Sequence, residues 1–202
     1  MSKPRLIVGL GNPTDEHVQD RHNAGFWFID ALARQAGCTL RRESRFNALI
    51  GKARIGDDEV WLLQPQTWMN RSGQSVSAVA RFYRIPAEEI LVAYDELDLA
   101  PGAARLKLGG SSTHNGLRDI TAQLAGPGYW RLRLGIGHPR EFFPGKPVVD
   151  WVLARPSREH RQAIDDAIDR ALAIMPAVTA GNWTDATQRL HSADPTVVRK
   201  SG

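Results

Sequence analysis

Short apolar runs alternate with stretches of helical period along this chain, and few folds accept that order. Residues 5–10, Arg-Leu-Ile-Val-Gly-Leu, are an apolar run ending near glycine, as buried strands are. Residues 23–36 put Phe26, Ile29, Leu32, Ala33 and Ala36 on one helical face, with Asn23 as cap and Gly37 as terminator. Residues 48–55 and 59–63 form a hairpin pattern around Gly56-Asp57-Asp58. Residues 72–83 are helical, with Val76, Val79, Ala80 and Tyr83 at core spacing, and 89–94 make another apolar strand. Residues 103–108 and 131–136 alternate basic and apolar side chains, as half-exposed strands do, with a helix over 116–124 between them. Beyond Pro156, residues 157–180 carry Ile164, Ile168, Leu172, Met175 and Val178 at helical period; Pro176 is placed to kink or shorten that helix, and a shorter helix is expected over 185–191. The expectation is an α/β chain: one three-layer α/β/α domain over residues 1–192, with a twisted mixed sheet flanked by helices, and a flexible tail over 193–202.

Composition narrows the class. A chain of 202 residues, 42% apolar and 24% charged, suits one globular domain with a real core. No apolar run reaches the roughly 18 residues a membrane span needs, and the N-terminus has no secretory pattern, so a cytoplasmic location is expected. Cys38 is the single cysteine; it excludes an internal disulfide and a cysteine-rich zinc site, and reads as a small half-buried residue. A net charge of +4 favours anionic partners such as nucleic acid, although mildly basic proteins are common.

The polar residues that follow the strands could do chemistry. Strand one is followed by Gly11-Asn12-Pro13, the hairpin by Thr67-Trp68-Met69-Asn70, and the 89–94 strand by Asp95-Glu96-Leu97-Asp98. In open α/β sheets ligands bind outside the carboxyl ends of the strands, so Asn12, Asn70 and Asp95 meet there if these strands are parallel neighbours. His22 and Asn115 stand just before helix starts, where side chains face a site. A neutral imidazole takes a proton from water while an aspartate holds its other nitrogen, and amide side chains donate to a developing oxyanion. Each residue also has a plainer reading: His22 as a cap neighbour, Asn12 as a turn residue, Asn70 and Asn115 as helix caps.

Other chemistries fit less well. Gly9-Leu10-Gly11 begins a dinucleotide fingerprint, but the third glycine is absent and Pro13 stands where the helix should open. There is neither a P-loop nor a serine in G-x-S-x-G. The six histidines lack metal-type spacing, although His22, His114 and Asp95 are a conceivable set. Arg105 and Lys107 share a strand face, as do Arg131 and Arg133, so fixed cations could hold phosphates beside the cleft; the alternative is a merely soluble basic surface.

Six motifs together resemble a known family, the bacterial peptidyl-tRNA hydrolases. They are Val8-Gly9-Leu10-Gly11-Asn12-Pro13, Arg21-His22-Asn23-Ala24-Gly25, Thr67-Trp68-Met69-Asn70-Arg71-Ser72-Gly73, Asp95-Glu96-Leu97-Asp98, His114-Asn115-Gly116-Leu117-Arg118-Asp119 and residues 131–139, from Arg131 to Pro139. They occur in the family's order over nearly the whole chain. The resemblance implies a monomeric enzyme that cuts the ester between a peptide and the 3′-terminal ribose of tRNA, recycling tRNA from peptidyl-tRNA released off the ribosome. It implies His22 as the base that activates water and Asp95 as its orienting partner. Asn12 would bind substrate near the terminal adenosine, Asn70 and Asn115 would place the peptide and the water or oxyanion, and Met69 would pack beside the peptide. Arg105, Lys107 and Arg133 match the positions that grip the tRNA 5′-phosphate and acceptor stem. No metal or cofactor is expected.

The chain departs from the family pattern in places. The glycine-rich loop reads Gly109-Gly110-Ser111-Ser112-Thr113 and is about one residue short; loss of φ freedom at Ser112 and Thr113 should stiffen it. His17 stands where a tyrosine is common, and Tyr94 where a histidine often precedes the aspartate. The competing readings are a non-catalytic RNA-binding relative, which would not need Asn12, His22, Asn70 and Asp95 together, and a nucleotide binder, which the broken glycine fingerprint disfavours.

Overall fold

A computed structural model of the chain describes residues 2–195. Seven strands form one sheet: β1 (Leu6–Gly9), β2 (Arg41–Glu43), β3 (Ala48–Ile55), β4 (Asp58–Pro65), β5 (Ile90–Glu96), β6 (Ala104–Leu108) and β7 (Trp130–Gly135), in the spatial order β2-β3-β4-β1-β5-β7-β6. β1 pairs in parallel with both β4 and β5, and β5 in parallel with β7. The pairs at the two margins are antiparallel, so the sheet is mixed, as expected. The helices are α1 (Ala24–Gln35), α2 (Ser72–Tyr83), α3 (Asn115–Gln123), α4 (Pro139–Phe142), α5 (Val148–Val152), α6 (Arg158–Ala173), α7 (Met175–Thr179) and α8 (Trp183–Ser192).

Strand periodicity divides the core into two layers. Ile7, Leu91 and Leu132 point to one face, where Phe28 and Ile29 of α1 and Ile164 and Ile168 of α6 cover them. Leu6, Val8 and Val92 point to the other, under Val76 and Val79 of α2 and Leu117 and Ile120 of α3. The central strands are buried on both faces and therefore read as continuous apolar runs.

The start of α1 is pressed onto the sheet. A Cβ on Gly25 would lie 2.4 Å from both Ala93 O and Leu10 N, so only glycine lets the helix backbone approach so closely. Leu10 N–H donates to Ala93 O and Phe26 N–H to Leu10 O, each at 3.1 Å. This contact brings residues 21–23 against the carboxyl end of β5.

Several boundaries differ from expectation for identifiable reasons. β2, with the sequence Arg-Arg-Glu, has no apolar alternation and forms only by pairing with β3 at the sheet margin. The helix expected over 157–180 breaks near Ile174, and Pro176 sits in the first turn of α7, where its missing N–H costs nothing. α4 and α5 are too short to display a period. Of the expected flexible tail, residues 196–202 lie outside the described residues. In the described part Asp194 is buried, accepts Ala104 N–H at 3.2 Å and pairs with Arg105. His191 Nε2 accepts Leu106 N–H at 3.0 Å, so side chains from the C-terminal segment satisfy outward amides of the edge strand β6.

Candidate active site

The parallel strands β1 and β4 deliver the residues that follow them, and β5, which runs two residues past the expected end and includes Asp95, delivers its own carboxyl end to one cleft of about 1040 Å³. Asn12, His22, Met69, Asn70, Asp95 and Asn115 all line it. Val148, Val149, Val152 and Leu153, on and just after α5, form an apolar wall that no periodicity in the sequence announced.

His22 occupies a one-turn helical segment, Arg21–Asn23, just before α1. Its Nδ1 lies 2.7 Å from Oδ2 of Asp95, whose side chain is 1% exposed. The other carboxylate oxygen, Oδ1, lies 2.8 Å from His114 Nε2. His114 caps α3: its Nδ1 accepts Gly116 N–H at 3.1 Å and Leu117 N–H at 3.4 Å. With Nδ1 accepting, the His114 proton sits on Nε2 and is donated to Asp95. His22 has the opposite tautomer, donating from Nδ1 and leaving the Nε2 lone pair for the cleft.

The electrostatics follow from this geometry. Burial disfavours the Asp95 carboxylate, but His22 and His114 outweigh it and hold the carboxyl well below the usual carboxylate range. Burial likewise disfavours a charged His22, but the Asp95 charge and hydrogen bond, with a smaller contribution from Asp20, raise it above its ordinary 6.5. Ligand atoms of His22, Asp95 and His114 lie within 4.8 Å of one another, near enough for a cation. Asp95 already spends both oxygens on the two imidazoles, and His114 spends its remaining nitrogen on the α3 amides.

Asn12 is held by a residue the sequence suggested only as a cap. Asn23 Oδ1 accepts Asn12 N–H at 2.9 Å, and Asn23 Nδ2 donates to Asn12 O at 3.0 Å. Asn12 Oδ1 accepts Met69 N–H at 2.9 Å, which leaves its Nδ2 to donate into the cleft. Asn23 makes no side-chain cap bond. The cap of α3 is His114 and not Asn115, so Asn115 stands exposed at the cleft. In the adjoining loop Gly109 and Gly110 carry the positive φ values, 66° and 106°; Ser111, Ser112 and Thr113 do not, so the departing residues need no glycine-like backbone. Ser112 Oγ accepts His114 N–H at 3.1 Å and ties the loop to the carboxylate's second partner. His17 bonds Asp20 through Nδ1 at 2.7 Å, and Tyr94 donates to Glu96 at 2.9 Å.

The cations divide. Arg105 is opposite Arg133, and Lys107 opposite Arg131, so the four share one sheet face. Lys107, Arg131 and Arg133 line the cleft. Arg133 is paired with Glu96 at 2.8 Å, while Arg105 is paired with buried Asp194 and lies outside the cleft lining.

A buried imidazole oriented by a carboxylate, with its other nitrogen facing a polar cleft on an open α/β sheet, has the arrangement that general-base chemistry requires. The peptidyl-tRNA hydrolase family model matches residues 6–197. The chain belongs to that family. A crystal structure of peptidyl-tRNA hydrolase from Acinetobacter baumannii is similar at 45% identity and TM-score 0.91, over 96% of this chain and 98% of that one. A peptidyl-tRNA hydrolase in complex with N-propanol is similar at 44% identity and the same TM-score and coverage. A 5′-methylthioadenosine nucleosidase from Arabidopsis thaliana shares the fold at TM-score 0.50 and 8% identity, over 94% of this chain and 97% of that one. Fold alone therefore does not assign the chemistry.

Proposed function

We infer that this chain hydrolyses the ester joining a peptide, or an N-blocked amino acid, to the 3′-terminal ribose of tRNA, with His22 as the base. The observation that carries the reading is the Asp95-oriented imidazole with its free Nε2 in the cleft. His22 Nε2 takes a proton from water as the oxygen attacks the ester carbonyl. Asp95 stabilises the imidazolium that forms. The oxyanion of the tetrahedral intermediate accepts from the amide groups of Asn12, Asn70 and Asn115. Collapse breaks the bond to the ribose oxygen, which takes the proton from His22; peptide carboxylate and free tRNA leave. Met69 packs beside the peptide. Lys107, Arg133 and Arg105 supply cations for the acceptor-stem phosphates, the two arginines by exchanging a carboxylate partner for phosphate. The reading carries a monomer acting on tRNA in the cytoplasm, as membership of the peptidyl-tRNA hydrolase family implies; no helix among the described residues is long and apolar enough to cross a membrane.

The test is release of tRNA from N-blocked aminoacyl-tRNA, with free aminoacyl-tRNA alongside. Release from the blocked substrate is expected. Binding without release would favour the non-catalytic RNA-binding alternative.

A further inference from the structure

A second cavity, of about 400 Å³, lies beside α5. The helix separates it from the cleft: Val148, Val149 and Val152 line the cleft, whereas Trp151 lines the second cavity. Its chemistry is cationic and aromatic. Arg21, Lys146, Arg155 and His160 line it, with Phe143 and Trp151, and no acidic side chain does.

Arg21 is the unusual member. It is 4% exposed, yet burial alone pushes its guanidinium down to about 10, with no carboxylate to offset the cost. One Nη donates to Trp151 O at 3.0 Å and Ala154 O at 3.2 Å, and the guanidinium carbon lies 3.4 Å from the centre of the Trp151 ring. Its Nε is buried without a hydrogen-bond partner. His160 Nδ1 is likewise buried and unpartnered, with its ring 4.6 Å from that of Phe142. Burial first, then the Arg21 charge, holds His160 below its ordinary value, against an opposing pull from Glu159. The N-terminus of the sixteen-residue α6 also opens here: Ser157, its cap, lines the cavity and accepts His160 N–H at 3.1 Å. A buried guanidinium N–H without an acceptor, the charges of Arg21, Lys146 and Arg155 with no carboxylate lining the cavity, and a helix N-terminus all ask for the same group, an anion with several acceptor oxygens. The exposed ring of Phe143 and the cavity's size leave room for a nucleoside beside it.

We propose that this cavity binds the phosphate of a nucleotide, either free or within an RNA chain. The site is distinct from the cleft, and the proposal does not depend on the hydrolase reading. Its test uses the indole N–H signal of Trp151, which donates to Gly137 O at 2.9 Å in the cavity wall, followed by NMR on the whole protein. Inorganic phosphate, AMP, a short oligouridylate without terminal phosphate, and chloride at matched ionic strength are titrated in turn. Phosphate and AMP are expected to move the signal saturably and chloride is not. Saturation by the oligouridylate as well identifies RNA as the source; saturation by phosphate and AMP alone identifies a free nucleotide. Lys146→Glu with Arg155→Glu should weaken AMP binding about tenfold or more; Lys146→Gln with Arg155→Gln serves if the reversed pair does not fold. Responses to phosphate and AMP no greater than to chloride, or unchanged affinity in the folded double variant, would overturn the proposal.

Discussion

Asp95 Oδ2 lies 2.7 Å from His22 Nδ1, and through its other oxygen the same carboxylate holds His114 at 2.8 Å. One buried charge thus sets the orientation of His22 and of the residue that caps α3. Asp95→Asn removes that charge and puts an N–H where an acceptor is needed, favouring the wrong His22 tautomer. The comparable change in a Ser-His-Asp triad costs roughly 10⁴-fold, so a fall of about 10³–10⁴-fold in kcat is expected. Single-turnover release from saturating N-blocked aminoacyl-tRNA measures it; a loss under tenfold would remove Asp95 from the mechanism.

The raised His22 value gives a signed pH dependence. Catalysis needs the neutral ring, so kcat/KM should climb with pH along a limb whose midpoint lies above 6.5, the ordinary histidine value. The stability His22 gains from Asp95 runs the opposite way: it is complete below 6.5 and is lost as pH rises through the folded-state value. Asp95, held down by the two imidazoles, contributes stability that is present above its ordinary 3.8 and is lost as pH falls through its depressed value. A pH–rate profile with the midpoint below 6.5 would contradict the balance argued for His22.

Asn23 positions Asn12 through two buried hydrogen bonds. Asn23→Ala leaves the Asn12 amide and carbonyl unpaired and should lower stability by about 1–3 kcal/mol. It should also reduce kcat/KM, although Asn23 is assigned no contact with substrate. Thermal unfolding and kinetics together check this; a variant as stable and active as the parent would show the pair to be dispensable.

Gly25 tests how tightly α1 must seat to carry His22. Its missing Cβ would lie 2.4 Å from Ala93 O, a backbone atom that has little room to move. Gly25→Ala should cost about 1–3 kcal/mol or more in denaturant unfolding. A neutral effect would mean that the helix can lift without consequence.

The cations should separate by salt dependence. Lys107→Ala and Arg133→Ala should each weaken tRNA affinity and reduce its logarithmic salt slope by about one. Arg105 is neutralised by buried Asp194, so Arg105→Ala should also loosen the docking of residues 191–194 on β6 and lower stability. Unchanged slopes for all three would refute their role toward phosphate.

Much of this was legible because it is local. Apolar runs announced β1 and β5, helical period announced α2 to the residue, and polar residues after successive strands announced Asn12, Asn70 and Asp95. What stayed hidden depends on distance in the chain. Asn23 looked like a cap because its partner, Asn12, is eleven residues away across a turn. In the sequence His114 and Asp95 group only as a conceivable metal set; their hydrogen bond required the loop before α3 to fold back over β5, and the ion pair of Arg105 required residues 191–194 to reach the sheet edge. α5, with five residues, was too short for any period to show, though it walls the cleft.

The central claim is that His22 is the base, and His22→Ala tests it most directly. Affinity for uncharged tRNA should stay within a few-fold of the parent, because the phosphate contacts proposed above involve other residues. Release of tRNA from N-blocked aminoacyl-tRNA should fall by about 10³-fold or more under single-turnover conditions. Release at the parental rate by a folded, tRNA-binding His22→Ala protein would contradict the account.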